Sequence, residues 1–193
     1  TWSLGEPSFV LEMPSPFTLP ADVSEATRYF VMPADFNKET MIRAVDFRPG
    51  TAAVVRSAIL YVDLSGEAVA LDAADPALGF EAENPNLLVG AQVLTAWLPG
   101  QEAIDLDQAA YIVPVGAELV LRLNYKKTWI YEGLEVEDRS VLALYAADSG
   151  AARVESIVLQ PPTEDVSNEG PVVSFSSHLS RDLDLLAILP NLE

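Results

Sequence analysis

The stretch Val45–Asp63, VDFRPGTAAVVRSAILYVD, decides how this chain is read. It opens on a turn, Arg48-Pro49-Gly50, and runs into a long apolar strand from Val54 to Val62. Proline presets the backbone of a turn, and the β-branched residues that follow suit a pleated, half-buried surface. One polar pair, Arg56-Ser57, interrupts the strand in mid-run. Successive strand side chains point to opposite faces, so one of two adjacent polar residues faces the interior unless a bulge re-aims it. The plain reading of the residues puts Arg56 on a solvated face and makes Ser57 a small, tolerated neighbour.

Outward from this strand the pattern stays β. Residues 1–33 are extended and punctuated by proline, with strands at Phe9–Met13 and Thr27–Met32. Met41–Phe47 alternates, and Val89–Leu98 reads as a strand closed by Pro99-Gly100. Between them, residues 66–74 read as a helical turn or a loop, and Asn84-Pro85-Asn86 as a turn. Ala109–Val113 is a short strand, and Glu118–Tyr125 (ELVLRLNY) alternates strictly, with Leu119, Leu121 and Leu123 on one face. Strands follow at Asp138–Tyr145, Val154–Leu159, Val172–Leu179 and Leu183–Leu189. The segment Gln160–Gly170 (QPPTEDVSNEG) reads as a linker, the most mobile internal one, with two prolines and no apolar period. Short strands at near-regular spacing, with no sustained helical period, predict an all-β fold, an antiparallel β-sandwich.

Half of the 193 residues are apolar, enough for a real core, and no apolar run reaches membrane-spanning length. The first residues have no basic region or signal-peptide core and read as a mature or trimmed terminus, which leaves export open. The net charge of −18 repels phosphate backbones and anionic lipid, so neither nucleic acid nor membrane insertion is expected. The absence of cysteine removes disulfides, thiolate metal sites and cysteine nucleophiles. The single histidine, His178, restricts acid–base and metal chemistry further. There is no Gly-x-Ser-x-Gly, no phosphate-cradling glycine loop and no metalloprotease helix. Asp63, Asp72, Asp75, Glu81 and Glu83 are close in sequence but lack calcium-loop spacing, and read as a solvated acidic loop.

Several phrases, in order, resemble the copper type II, ascorbate-dependent monooxygenases, the family of peptidylglycine alpha-hydroxylating monooxygenase, and its bacterial members in particular. They are Gly5-Glu6-Pro7 with Glu12-Met13-Pro14 and Phe17-Thr18-Leu19-Pro20-Ala21; Arg28-Tyr29-Phe30; Arg48-Pro49-Gly50 with Val54-Val55; Trp97-Leu98-Pro99-Gly100; Leu119-Val120-Leu121 leading to Tyr125; and Asp138-Arg139-Ser140. The resemblance covers roughly residues 1–159 and, more loosely, 172–190. It implies a jelly-roll topology for the sandwich, an exported (periplasmic or secreted) location, and the family's N-terminal domain over 1–159. Residues 160–171 would then link to terminal strands, 172–193, that lead into or pack as a truncated second domain.

The same alignment implies a loss. In the family, two adjacent histidines and a third histidine hold the first copper; the matching positions here are Arg56, Ser57 and Asn124. The first histidine position of the second copper motif, after Leu185–Pro190, is Asn191, and Leu192-Glu193 reads either as a cloning scar or as native sequence. Copper prefers imidazole or sulfur donors, so no cofactor is expected, and no catalytic residue is assigned. Read by itself, Asn124 is a hydrogen-bonded residue on a half-buried strand, and an Arg-Ser-Asn patch also suits an anion or polar ligand. His178 matches no ligand position.

Three functions remain in play. The first is a copper-free, non-catalytic module, structural or interacting, whose partners are another protein or adjacent domains of the same chain. The second is part of a copper-dependent oxidoreductase whose competent site lies in the missing C-terminal domain. The third is a sandwich that binds glycan or peptide through Trp129 and Tyr131, which follow Lys126-Lys127 in a polar hairpin; Trp97 reads as a core residue.

Overall fold

A computed structural model describes residues 1–82, 87–88, 91–157, 159, 176–179, 182, 184–186 and 188. The chain divides into two compact units, Thr1–Ser156 and Ile157–Glu193. Every named element lies in the first. They are β1 (Phe9–Glu12), β2 (Phe17–Leu19), β3 (Glu25–Met32), β4 (Thr40–Arg48), β5 (Val55–Asp63), α1 (Glu67–Ala74), β6 (Gln92–Trp97), β7 (Ala109–Val113), β8 (Glu118–Lys126), β9 (Val136–Asp138), β10 (Val141–Ala146) and β11 (Ala152–Val154).

The strands form the predicted all-β sandwich. One sheet has the order β1-β10-β4-β7-β11, the other β3-β8-β5-β6, and β2 pairs with β9 in a small ribbon. The alternation that marks β8 in the sequence does its work here: Leu119, Leu121 and Leu123 are fully buried in the main core. They meet Ile42, Val45 and Phe47 of β4 and Leu142 and Leu144 of β10 in one apolar cluster. Burying a side chain of this size contributes about 1.5–3 kcal/mol relative to leaving it exposed, which makes the shared inner layer the main stabiliser.

The outer faces are covered unequally. On the β4–β10 sheet, Trp2 and Leu4 of the N-terminal segment pack over Ala44, Ala143 and Tyr145. Asp46 Oδ2 anchors that segment, accepting from the Ser3 backbone N–H at 3.1 Å and from its hydroxyl at 2.8 Å. On the other sheet, α1 and Phe80 cover one end only, where Ala68 and Phe80 pack with Tyr29 and Val120. Among the described residues, that cluster does not reach the end of the face near Asn124.

The structure departs from the sequence reading in several places. β11 pairs parallel to β7, in a sandwich otherwise built from antiparallel pairs. It also lies at Ala152–Val154, ahead of the expected Val154–Leu159, because the Ala152 N–H reaches the Gln108 carbonyl at 2.7 Å and ladder partners, not hydropathy, decide where an edge strand sits. The strand expected over Asp138–Tyr145 is two: Asp138 ends β9, Val141 begins β10, and Arg139-Ser140 lies between them outside both strands. Residues 66–74 take the helical option, as α1 from Glu67. Residues 176–179, and those described among 182–188, are not in strands; Leu185 and Ile188 are about three-quarters exposed, and an apolar alternation without a ladder partner is no strand. Asn84-Pro85-Asn86 and Gln160–Gly170 lie outside the described residues.

Candidate functional site

The polar pair in β5 is resolved by a bulge. Val55 pairs with Tyr125, but the next ladder partner, Asn124, faces Ser57, so Arg56 is an extra residue without a partner on β8. Val55 is fully buried and Ala58 nearly so, at 2% exposed. Between two inward-facing residues, ordinary alternation has room for one outward side chain; the inserted residue makes room for two. Arg56 and Ser57 therefore share the outward face, and both are half-buried.

The register then builds a row across three strands. Thr27 of β3 stands opposite Asn124, and Asn124 opposite Ser57. The Asn124 Nδ2 donates to Thr27 Oγ1 at 3.3 Å. Arg56, Ser57 and Asn124, marked in the sequence by separate phrases, thus come together on one patch, at the end of the sheet that the α1 cluster does not reach. Along the same face, Arg122 lies over the Tyr29 ring at 6.0 Å, and Lys126 pairs with Glu25 at 3.0 Å.

A buried polar network fixes this end of the sheet. The Arg48-Pro49-Gly50 turn packs against Asp138-Arg139-Ser140: the Gly50 N–H donates to Ser140 Oγ at 3.3 Å, and the Thr51 N–H to Asp138 Oδ1 at 2.7 Å. The Thr51 hydroxyl donates to the Glu137 carbonyl at 2.6 Å. Asp138, itself 2% exposed, accepts on Oδ2 from the Tyr125 hydroxyl at 3.0 Å and the Ser140 hydroxyl at 2.8 Å. Burial, then the neighbouring Asp138 carboxylate, pushes the Tyr125 phenol above its ordinary range, because both disfavour the phenolate. The carboxylate thus ties the turn leading into β5 to the residue next to Asn124. Nothing in the sequence marks Asp138 and Tyr125 as partners; the signal that was present is the recurrence of both polar phrases beside apolar strands.

The donor set does not fit copper. A guanidinium is always cationic and carries no free lone pair, and a serine hydroxyl and a carboxamide are weak, hard donors where copper selects imidazole or sulfur. Among the described residues, no three His, Cys, Asp or Glu side chains gather as a metal-holding group. His178 is exposed within residues 176–179, and Asn191 lies outside the described residues.

The acidic residues between β5 and β6 go separate ways. Asp63 is buried and accepts from the Ser65 N–H and hydroxyl at 2.9 and 2.7 Å. Asp75 and Glu81 pair with the buried Arg28 at 3.4 and 3.3 Å, so the expected solvated loop is in part a clamp on a core arginine that also lies over Phe17. Asp72 is pushed up by burial and by Asp75.

The two aromatic candidates differ in exposure. Trp129 is 80% exposed, beside the exposed Ile130 and Leu134, whereas Tyr131 is half-buried and packs on the main core. Trp97 packs inward, with its ring 5.0 Å from that of Phe47. No family model and no curated protein matches the chain.

Proposed function

We propose that this chain is a copper-free, non-catalytic sandwich module of the monooxygenase type, with a structural or interaction role in a larger exported protein. The observation that carries the reading is the convergence of Arg56, Ser57 and Asn124. Their positions were chosen by separate motifs, and they meet through the β5–β8 register and a bulge that lets two adjacent residues face one way. Two neighbouring ligands on one strand would need that arrangement, which supports the resemblance; the residue types at the three positions suit no copper, which supports loss of the site. The jelly-roll topology and the export belong to the same proposal. A second reading, glycan or peptide binding, draws support from the 80% exposure of Trp129, beside a Tyr131 that is half-buried against the core.

Restoring the imidazoles tests the first reading. Calorimetry with Cu(II) at neutral pH should show no tight site in the wild-type chain, and one per chain in the triple variant Arg56→His, Ser57→His, Asn124→His. Tight wild-type binding that Asn124→Ala abolishes would overturn the proposal. A folded triple variant that takes no copper would count against the resemblance itself.

A further inference from the structure

We infer that the bulge patch binds a carboxylate, so that the interaction role proposed above is exercised through Arg56, Ser57 and Asn124 on an acidic group of the ligand. The inference rests on that reading for its context and on the geometry for its chemistry.

The electrostatic observation comes first. The chain has 11 basic residues against 29 acidic ones, so cations tend to find partners. Arg28, Arg43, Arg48 and Arg139 each pair with a carboxylate. Lys126, at the same end of the outward face, is engaged by Glu25. Arg56 has no such partner among the described residues, although it is half-buried. The bulge nonetheless holds it beside Ser57, and Ser57 beside Asn124.

The donors on this patch suit an oxyanion. The guanidinium offers a planar fork, the Ser57 hydroxyl one donor, and the Asn124 amide a second N–H beyond the one given to Thr27. One positive charge with two neutral donors matches a monoanion. A phosphate dianion, held in a protein of net charge −18, would call for more cationic charge than Arg56 supplies, since on the same face Lys126 is engaged by Glu25 and Arg122 lies over Tyr29.

The test is an NMR titration of the whole chain with acetate, with inorganic phosphate and methylammonium as separate arms at equal ionic strength. Acetate should give saturable shifts at the Ser57 and Asn124 amides and at the Arg56 side-chain Nε–H. Arg56→Gln, which keeps a polar side chain but removes the charge, should weaken acetate by about tenfold or more, the loss of one charge-assisted contact. Asn124→Asp should weaken it too, by placing a like charge on the patch. Arg153→Gln, on the exposed β11 of the other sheet, should leave it unchanged. Shifts that never saturate, that survive Arg56→Gln, or that favour phosphate over acetate would overturn the inference. These outcomes are separable from the copper test: a chain that takes neither acetate nor copper refutes the carboxylate site alone, whereas tight wild-type copper refutes the module reading.

Discussion

The Tyr125 hydroxyl donates to Asp138 Oδ2 at 3.0 Å inside the sandwich, joining the last inward residue of β8 to the end of β9. The same carboxylate holds the Ser140 hydroxyl and the Thr51 N–H. Asparagine here keeps one acceptor oxygen but sets an NH2 donor against the Thr51 N–H or against the two hydroxyls. Asp138→Asn should therefore cost about 3 kcal/mol, and Tyr125→Phe, which removes one donor and keeps the ring, about 1 kcal/mol. Urea denaturation of both single variants and the double variant checks this. The double-variant loss should fall short of the sum of the single losses, since the two residues share one hydrogen bond.

The network also gives the fold an alkaline limit. The Tyr125 phenol is raised in the folded state, by burial first and Asp138 second. A group raised in this way contributes stability that is fully present below its unfolded value and lost as pH rises past it. Unfolded tyrosine ionises near about pH 10, so the urea midpoint should decline from there upward. In Tyr125→Phe the decline should be shallower. It should not vanish, because burial also raises Tyr111 and Tyr145.

Gly50 is required by close approach, not by an unusual backbone angle. A Cβ at this position would lie 2.5 Å from the Arg139 backbone nitrogen and 2.6 Å from its carbonyl oxygen. Backbone cannot swing away as a side chain can. Gly50→Ala should cost about 2–3 kcal/mol by thermal or urea unfolding, and should also loosen the turn that feeds the bulge. Gly116→Ala tests a different constraint, since that glycine has open space around its missing Cβ but a φ of +77°.

Trp97 and Trp129, two of the three tryptophans, should separate cleanly. Trp129→Ala removes an exposed ring and should change stability by less than about 0.5 kcal/mol, whereas Trp97→Ala removes a half-buried ring packed on Phe47 and should cost about 2 kcal/mol. Fluorescence offers an independent check: an aqueous quencher should reach Trp129 in the folded chain.

The strands were legible wherever alternation met a buried sheet face. The sequence pattern marks Ala109–Val113 at its observed ends and Glu118–Tyr125 to within one residue of β8, because neither run is interrupted by a turn residue. Reading failed where pairing rather than pattern decides. β11 is short and largely exposed, and it exists because Ala152–Val154 lies along β7 in parallel register. The expected strand from Asp138 broke because Asp138 and Ser140 face into a hydrogen-bonded network, which hydropathy cannot reveal. For the candidate site, the residue types at 56, 57 and 124 were visible in the sequence. Arg56 and Ser57 share a face through one unpaired residue in the ladder, and the adjacent polar pair in an apolar strand is the sequence signal for it.

That unpaired residue sets the parity of β5. With Arg56 present, the strand enters the sheet with Val55 inward and leaves it with Ala58, Leu60 and Val62 inward, so odd and even positions exchange roles midway. A chain one residue shorter at this point would have to choose. Either the N-terminal valines would keep the core and Ala58, Leu60 and Val62 would turn to solvent, or the reverse. Substitutions at positions 56 and 57 are therefore far freer than any change in their number, and the patch can alter its chemistry while the count that presents it stays fixed.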